Sequence, residues 1–591
     1  MYEWQNLAAM FLASAERRGG GPFLWAKEDG HYVSKSWTEA VDEVSKLARG
    51  LRKLGVGPGD RVVLCAESRP EWPLATLAIM AIGGIVVPAY TTNTVADHIH
   101  ILADSGAAGA ITSGAALSEK VLAAAQTHDI KFLITMDEFS ADQTLGTDLH
   151  NWEAVLAMGA GEPDDIADEI AKRQIDDTAV IIYTSGTGGA PKGVMLSHKA
   201  ILHNCEGARD AIEELGVDDE VFLSFLPLSH SYEFMAGLFF PISIAAQIYF
   251  SEGIEHLSRN LTEVRPTIMT AVPRLYEVMH GRITKGVAQA SGLKEKLFNT
   301  AVELGSREFE NPGSLGIGDK IKSAAVDKLV RKKVKASFGG RLKVLVSGGA
   351  PLNYEIGLFF TALGLLLLQG YGQTESAPLI SVNRPGRVKL KTVGPPVKNT
   401  EVKIAEDGEI LAKGDQVMQG YWRNEDATKE TIIDGWLHTG DVGHIDEDGC
   451  IVITDRKKDI IVNSGGDTLS PQRVEGFLTL QPEISQAMVH GDKRPHLVGI
   501  IIPDAEFARD WAKENSKSGD LAALIGDADF ARAIDDAVGR VNTDLAAGER
   551  VRRVMLIPDA FTTDNEMMTP SLKVRRHKVM AAYGERLEGL Y

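Results

Sequence analysis

Only three cysteines, Cys65, Cys205 and Cys450, occur in 591 residues, and they lie far apart. That spacing excludes a disulfide framework and a thiolate metal cluster, and it fits a reducing compartment such as the cytoplasm. An excess of basic residues is also missing. The chain has 62 Lys/Arg against 81 Asp/Glu, a net charge of −19, so non-specific nucleic-acid binding is not expected. No clean apolar run is long enough to cross a bilayer. Pro73 to Tyr90 is broken by Gly83-Gly84 and Pro88, and Phe234 to Phe250 carries Pro241, Ser243 and Gln247. Both fall short of the roughly 20 clean residues a span needs and read as core. Met1-Tyr2-Glu3-Trp4 shows no charged segment leading into an apolar one, so no secretory signal is expected. Surface association with a membrane stays open.

What remains is an ordinary globular composition, 44% hydrophobic and 24% charged. A chain of this length is too long for one core, so two or more domains are expected. Asp29-Gly30 predicts a hairpin over residues 23–34. Ser36 and Glu39 form a capping box ahead of Val41, Val44, Leu47, Leu51 and Leu54 at helical spacing, and Gly55 is placed to end that helix. Arg61 to Cys65 reads as a strand, and strand and helix patterns alternate through residues 75–140. Such alternation implies an α/β domain with mostly parallel strands.

One stretch calls for a chemical explanation: Tyr183-Thr184-Ser185-Gly186-Thr187-Gly188-Gly189-Ala190-Pro191-Lys192-Gly193, which follows the apolar run Ala179 to Ile182. Hydroxyls and bare amides donate hydrogen bonds, glycines let the backbone approach closely, and the lysine adds a positive charge. Together they suit a polyphosphate. A Gly-rich connector between strand and helix is the plain alternative; the strand context and the Pro-Lys-Gly ending favour phosphate. The stretch is not a Walker A loop, which ends in Gly-Lys-Ser/Thr, so a P-loop NTPase is disfavoured. Ser197 is placed to cap a following helix that runs to about Leu215.

Two further apolar runs end in polar glycine loops. Lys343 to Val346 leads into Ser347-Gly348-Gly349-Ala350-Pro351, and Leu363 to Leu368, read as a strand, leads into Gln369-Gly370-Tyr371-Gly372-Gln373-Thr374-Glu375. Ligands of open α/β sheets bind beyond the carboxyl ends of strands, so the three loops could converge on one nucleotide. Asp441, within Gly435 to Gly443, offers a carboxylate to ribose hydroxyls. The charge cluster Asp455-Arg456-Lys457-Lys458-Asp459 sits where composition shifts to a helix-rich tail and places a domain boundary near Lys458. His230, within Phe225 to Glu233, reads first as a packed core residue, with a functional role as the alternative. Residues 281–340 hold 12 Lys/Arg and 6 Asp/Glu. A solvated helical face is the first reading, and a patch for CoA phosphates or an anionic membrane the second.

The stretch at Tyr183 resembles the phosphate loop of AMP-forming acyl-adenylating enzymes, the superfamily of acyl-CoA synthetases, peptide-synthetase adenylation domains and beetle luciferases. That family usually writes Thr-Ser-Gly-Thr-Thr-Gly-x-Pro-Lys-Gly; Gly188 here replaces the second threonine of the pair, removing one hydroxyl and leaving the amide. The resemblance covers about residues 20 to 585. Order, spacing and the terminal Thr569-Pro570-Ser571-Leu572-Lys573 look most like the long-chain fatty acyl-CoA synthetase branch.

The resemblance implies an α/β fold: a large N-terminal domain, residues 1–457, of stacked mixed sheets with flanking helices and a distorted barrel, and a small mobile α+β C-terminal domain, residues 458–591. It implies that Thr184, Ser185, Gly186, Thr187 and Lys192 hold the ATP phosphates. Gly349 and Ala350 would border the adenine, and Tyr371, followed by Gly372, would stack on it. Thr374 would contact the α-phosphate, Glu375 would bind Mg²⁺ with Thr184 as a second ligand, and Asp441 and Arg456 would hold the ribose. Lys458 would be the hinge, Gly465 and Gly466 would border the CoA channel, and Lys573 would be catalytic together with Thr187 and His230, the last beside the acyl carboxylate.

The implied reaction joins a medium- to long-chain fatty acid to CoA through acyl-AMP, releasing AMP and pyrophosphate. An acyl-AMP or aryl-acid ligase delivering to a carrier protein or other thiol is the alternative within enzymes. A non-catalytic acyl- or nucleotide-binding protein is the alternative outside them, and the intact set Thr184, Lys192, Glu375 and Lys573 argues against it. The implied partners are fatty acid, ATP and CoA, with no nucleic acid; peripheral membrane contact and a homodimer stay open.

Overall fold

The alternating pattern resolves into two eight-stranded sheets. The computed structural model describes residues 2–141, 144, 146–184, 190–290, 292–464, 468–563, 565–569 and 574–591. In one sheet the strands Arg61–Cys65, Ile85–Pro88, Gly109–Thr112, Phe132–Thr135, Asp148–Asn151 and Thr178–Thr184 are parallel. Lys192–Ser197 and Gly420–Tyr421 extend that sheet antiparallel. The other sheet has parallel Gln247–Phe250, Val221–Ser224, Ile268–Ala271, Val344–Ser347 and Leu367–Gly372. The hairpin Pro22–Glu28/His31–Ser36 joins one edge, and Leu379–Val382 closes the other antiparallel.

Local signals hold where they rest on short-range chemistry. The hairpin turns at Asp29 (φ 47°) and Gly30 (φ 82°). Ser36 and Glu39 cap helix Trp37–Lys53, and Ser197 caps helix His198–Ile212. Helix Glu71–Ala81 is apolar all round, and Trp72 to Ala81 are all buried, as expected of a helix with no solvent face. It joins helices Leu7–Arg18, Trp37–Lys53 and His198–Ile212 in the largest core. One expectation is corrected. Leu363 to Leu368 is not one strand: helix Tyr354–Ala362 runs up to it, Gly364 turns at φ 83°, and the strand starts only at Leu367. That strand continues through Gln369 to Gly372, which had read as loop, because Leu379–Val382 pairs with it.

A further, five-stranded antiparallel sheet is formed by Glu401–Ile404, Glu409–Lys413, Ile432–Ile433, Trp436–Ile445 and Ile451–Arg456. The smaller C-terminal part sets Ile484–His490, Leu497–Pro503 and Val551–Leu556 against helices Pro471–Leu478, Ala528–Asp544 and Arg576–Glu588, and has cores of its own. Inside it, Arg576 pairs with the largely shielded Glu475 at 2.5 Å. Across to the larger part, Lys285 pairs with Glu506 and Asp510, and Arg274 donates to the Ser485 carbonyl at 3.3 Å.

Helices Trp37–Lys53 and Trp152–Ala160 meet through glycines. A Cβ on Gly159 would stand 1.7 Å from the Lys46 carbonyl oxygen, and one on Gly50 2.4 Å from that of Val155. Gly159→Ala and Gly50→Ala are each expected to destabilise by about 1–3 kcal/mol. The readout is a lower denaturant midpoint at unchanged slope; an unmoved midpoint would mean that the two helices part without cost.

Candidate functional site

The glycine-rich loop joins two antiparallel strands, not a strand and a helix, for Thr184 stands opposite Lys192 in the ladder. Ser185, Gly186 and Thr187 lie outside the described residues. The flanks of the loop are pinned: His100 Nε2 donates to the Pro191 carbonyl at 2.8 Å, and the Tyr183 hydroxyl to Asp104 at 2.6 Å. Lys192 Nζ lies 4.9 Å from the centre of the Tyr421 ring, and the Tyr421 hydroxyl donates to Glu375 Oε1 at 2.8 Å. Backbone bonds run the same way. Trp422 N donates to the Gly193 carbonyl at 2.7 Å and Met418 N to the Glu375 carbonyl at 2.9 Å. Segment 418–422 thus spans from the loop-bearing strand of one sheet to the glycine loop of the other.

On the second sheet Ser347 faces Gln369 in parallel register, so the loop with Gly349 and Ala350 leaves beside Tyr371. Gly349 needs its φ of 82°. Gly372 allows a close approach: a Cβ there would stand 1.6 Å from the Pro378 carbonyl oxygen. Asp441 and Arg456 face each other across antiparallel strands. Asp441 Oδ1 accepts from Arg456 Nε at 2.8 Å, and Oδ2 from the Tyr371 hydroxyl at 2.7 Å. Burial pulls the Arg456 pKa down, but Asp441 outweighs it and the net shift is upward; burial and then Asp441 push Tyr371 well above the usual phenol value. Arg456 is therefore a held cation and Tyr371 a neutral donor.

Thr374 brings in a third group, since its hydroxyl is 3.0 Å from that of Ser231. His230 Nδ1 accepts from Tyr232 N at 3.1 Å, which leaves the hydrogen of the neutral ring on Nε2. Beneath them Glu233 is fully buried. The hydroxyls of Ser224 and Thr270, from neighbouring strands, donate to its two oxygens at 2.7 and 2.9 Å. Burial pushes its carboxyl up to about 7 against the lowering effect of both hydroxyls.

Lys192 with Glu375, Asp441 and Arg456 with Tyr371, and the His230–Ser231 turn with Thr374 thus form three groups on the run Tyr371 to Glu375, Thr184 standing opposite Lys192 and the loop of Gly349 and Ala350 leaving beside Tyr371. Lys458 stands apart from them. Its neighbour Lys457 is anchored by Asp407 at 2.6 Å and Glu409 at 2.8 Å, and Glu409 also accepts from Gly440 N at 2.8 Å. Gly465, Gly466 and Lys573 lie outside the described residues. Sequence reasoning missed Tyr421, Ser231, Glu233 and Glu409. The aromatic pair Tyr421-Trp422 after Gly420 was the sole hint of the first, and nothing in the local pattern marks the others.

The arrangement offers cations, hydroxyls and close backbone to a polyanion. Among the described residues no cluster of three or more His, Cys, Asp or Glu could hold a metal ion. Glu375 has Oε1 engaged by Tyr421, and a carboxylate is the hard oxygen donor that suits a cation shared with a phosphate.

A family model described as AMP-binding enzyme matches residues 11–422, and one described as AMP-binding enzyme C-terminal domain matches residues 458–591. The chain is 34% identical to the long-chain-fatty-acid–CoA ligase FadD15 of Mycobacterium bovis, over 100% of this chain and 97% of that protein. It is 29% identical to long-chain-fatty-acid–CoA ligase 1 of Cavia porcellus, over 99% of this chain and 86% of that one. Among solved structures, the A-PCP didomain of carboxylic acid reductase from Segniliparus rugosus in complex with AMP superposes with a TM-score of 0.77 at 22% identity, over 100% of this chain and 82% of that one. A benzoate CoA ligase from Burkholderia xenovorans LB400 gives 0.70 at 24%, over 98% and 100%. At such identities the solved structures show a shared fold, a large N-terminal part of mixed sheets with a smaller C-terminal one.

Glu233 supplies a pH test. Its carboxyl titrates near 7 when folded and near 4.5 when unfolded. The folded state therefore holds the extra proton between those values, and stability should fall as pH rises through that window, by up to about 3 kcal/mol. Glu233→Gln should flatten that slope in denaturant titrations at several pH values. An equally steep slope in the variant would place the titration elsewhere.

Proposed function

The chain belongs to the AMP-binding enzyme family, and we propose that it is an AMP-forming ligase that activates a medium- to long-chain fatty acid with ATP and transfers it to CoA. The observation that carries this reading is the gathering of Lys192, Glu375 and Asp441, from distant parts of the chain, around Tyr371 to Glu375. Full-length likeness to long-chain-fatty-acid–CoA ligases supplies the substrate class.

In the first half-reaction a carboxylate oxygen of the acid attacks the α-phosphorus of ATP, pyrophosphate leaves, and acyl-AMP forms. An anion approaches a polyanion, so the barrier falls where cations and donors face the developing charge. Lys192 with Thr184, Ser185, Gly186 and Thr187 holds the phosphates, and Thr374 contacts the α-phosphate. Gly349 and Ala350 border the adenine, with Tyr371 and Gly372 beside it. Asp441 and Arg456 fix the ribose, which lowers the entropic barrier. Glu375 and Thr184 hold Mg²⁺, whose charge offsets that of the phosphates. His230 lies beside the acyl carboxylate, and Lys573 brings a cation from the C-terminal part. In the second half-reaction the CoA thiol, losing its proton, attacks the acyl carbonyl and AMP leaves. The domains divide after residue 457, where the Lys457 anchor ends. The C-terminal domain turns about Lys458, which withdraws Lys573 and presents Gly465-Gly466 to CoA, so that one lid shields both steps from water.

The three cysteines are buried free thiols, which suits a cytoplasmic enzyme. No described helix is long and apolar enough to cross a membrane. The acid itself partitions into lipid, which makes a peripheral contact the direct way to receive it.

Pyrophosphate release across carboxylic acids of graded length, with and without CoA, tests the reading. Release and acyl-CoA formation should both favour the longer acids; AMP formation without acyl-CoA would point to another thiol acceptor. Lys573→Ala should lower adenylation by about a hundred- to a thousandfold and largely spare acyl transfer from supplied acyl-AMP. Equal loss of both halves would overturn the two-step lid. Tyr421→Phe keeps the ring under Lys192 and removes the bond to Glu375, so the KM for ATP should rise roughly three- to tenfold, and an unchanged KM would deny Tyr421 a positioning role.

A further inference from the structure

The three most exposed large apolar side chains among the described residues sit in one helical hairpin: Ile317 is 83% exposed, Leu293 70% and Ile321 68%. Scattered exposed aliphatics are ordinary, but a cluster opposite a packed face is not. Helix Gly292–Glu310 packs on helix Ile317–Val326, which continues through the wider turn Asp327–Arg331 into helix Lys332–Ser337. Val326 and Val330 reach the core beside Phe298 and Ala301 of the first helix. Ile317 and Ile321 are one turn apart, and helical spacing puts Ile317 half a turn away from Val326. A helix already apolar towards the core therefore carries a second apolar stripe towards solvent, which no described residue covers.

The charge beside that stripe is unusual for this chain. Residues 317–337 contain seven Lys/Arg and two Asp/Glu in a protein of net charge −19. Arg331 serves the interior, donating to the carbonyls of Ala301 and Ala362 at 3.0 and 2.8 Å. Lys320, Lys328, Lys332 and Lys333 are exposed and enter no ion pair with the described residues. Lys320 and Lys328 fall near the isoleucine side of the helix by their spacing. Phosphates of free CoA would engage the lysines and leave the isoleucines without a role. A surface with anionic phosphates above hydrocarbon engages both.

We propose that the hairpin of residues 292–337 docks on an anionic lipid membrane, with Ile317 and Ile321 entering the headgroup layer and Lys320 and Lys328 meeting lipid phosphates. The docking rests on the fatty-acid reading above only for its purpose, the collection of acid from the bilayer.

The test is sedimentation of the full chain with vesicles of phosphatidylcholine, with and without phosphatidylglycerol. The wild-type chain should sediment with the anionic vesicles and be released by salt. The double variants Ile317→Ser/Ile321→Ser and Lys320→Gln/Lys328→Gln should each lose roughly tenfold or more of that partition. All four positions are exposed, so folding and the vesicle-free synthesis of acyl-CoA from a short, water-soluble acid should stay at the wild-type level. A wild-type chain that ignores anionic vesicles overturns the docking surface. So do variants that sediment like wild type, and an isoleucine variant that changes only the oligomeric state, which would assign the stripe to a second copy of the chain. Absence of ligase turnover in the vesicle-free assay would instead strike the fatty-acid reading and leave the docking result standing.

Discussion

The hydroxyl of Tyr421 on the carboxylate of Glu375 is the contact on which the geometry of the site turns. Thr184 and Lys192 belong to one eight-stranded sheet; Gly349, Ala350 and Tyr371 to Glu375 belong to the end of the other. Two sheets can share one ligand only if their spacing is fixed to a fraction of an ångström. Segment 418–422 fixes it, with Gly420 and Tyr421 paired to Met195 and Val194, and Met418 N bound to the Glu375 carbonyl. A hydrogen bond to a charged group contributes only about 1.5–3 kcal/mol. Its value here lies in where it holds the carboxylate rather than in overall stability.

The two cations of the site are held in opposite ways, and the difference fits the tasks proposed for them. Lys192 rests over the ring of Tyr421, an association worth about 0.5–2 kcal/mol that a phosphate can readily replace. Arg456 is bonded to Asp441, which is itself bonded to Tyr371. Freeing that guanidinium would strand a buried carboxylate, so the pair stays a fixed frame. On the proposed reading one cation would thus be available to a changing phosphate chain, and the other would belong to the wall against which a nucleoside is placed.

The fold was legible where a few adjacent residues decide it. Asp29-Gly30, the Ser36–Glu39 box and the Ser197 cap need nothing from elsewhere in the chain. The strand-end loops were legible as glycine- and hydroxyl-bearing turns, and one of them, ending at Lys192, also carries a lysine. Leu363 to Leu368 misled because an apolar run carries no period: Gly364 ends a helix there, and only the pairing of Leu379–Val382 makes Gln369 to Gly372 a strand. Tyr421 was out of reach, since its partners lie far away in sequence. Glu233 stood inside a stretch already singled out for His230. Its two hydroxyl partners come from strands ending at Ser224 and passing through Thr270, which no pattern around Glu233 announces.

The attachments of the C-terminal part differ in the same graded way. Within it, Arg576 holds Glu475, whose side chain is only 13% exposed, so separating that pair would leave a largely shielded carboxylate without its cation. Lys285 meets Glu506 and Asp510 at the surface, with all three side chains well exposed, and such pairs exchange with water at little cost. On the N-terminal side Lys457 is clasped by Asp407 and Glu409 and by its own amide on the Gly440 carbonyl. Anchorage at Lys457, exposed ion pairs beyond it and a body held together by a largely shielded one form a sequence of strengths. On the proposed two-step reading a lid would need that order, because the bonds that break on turning would then be the weak ones. The Tyr371–Asp441–Arg456 frame, proposed to receive the nucleotide, would be left untouched.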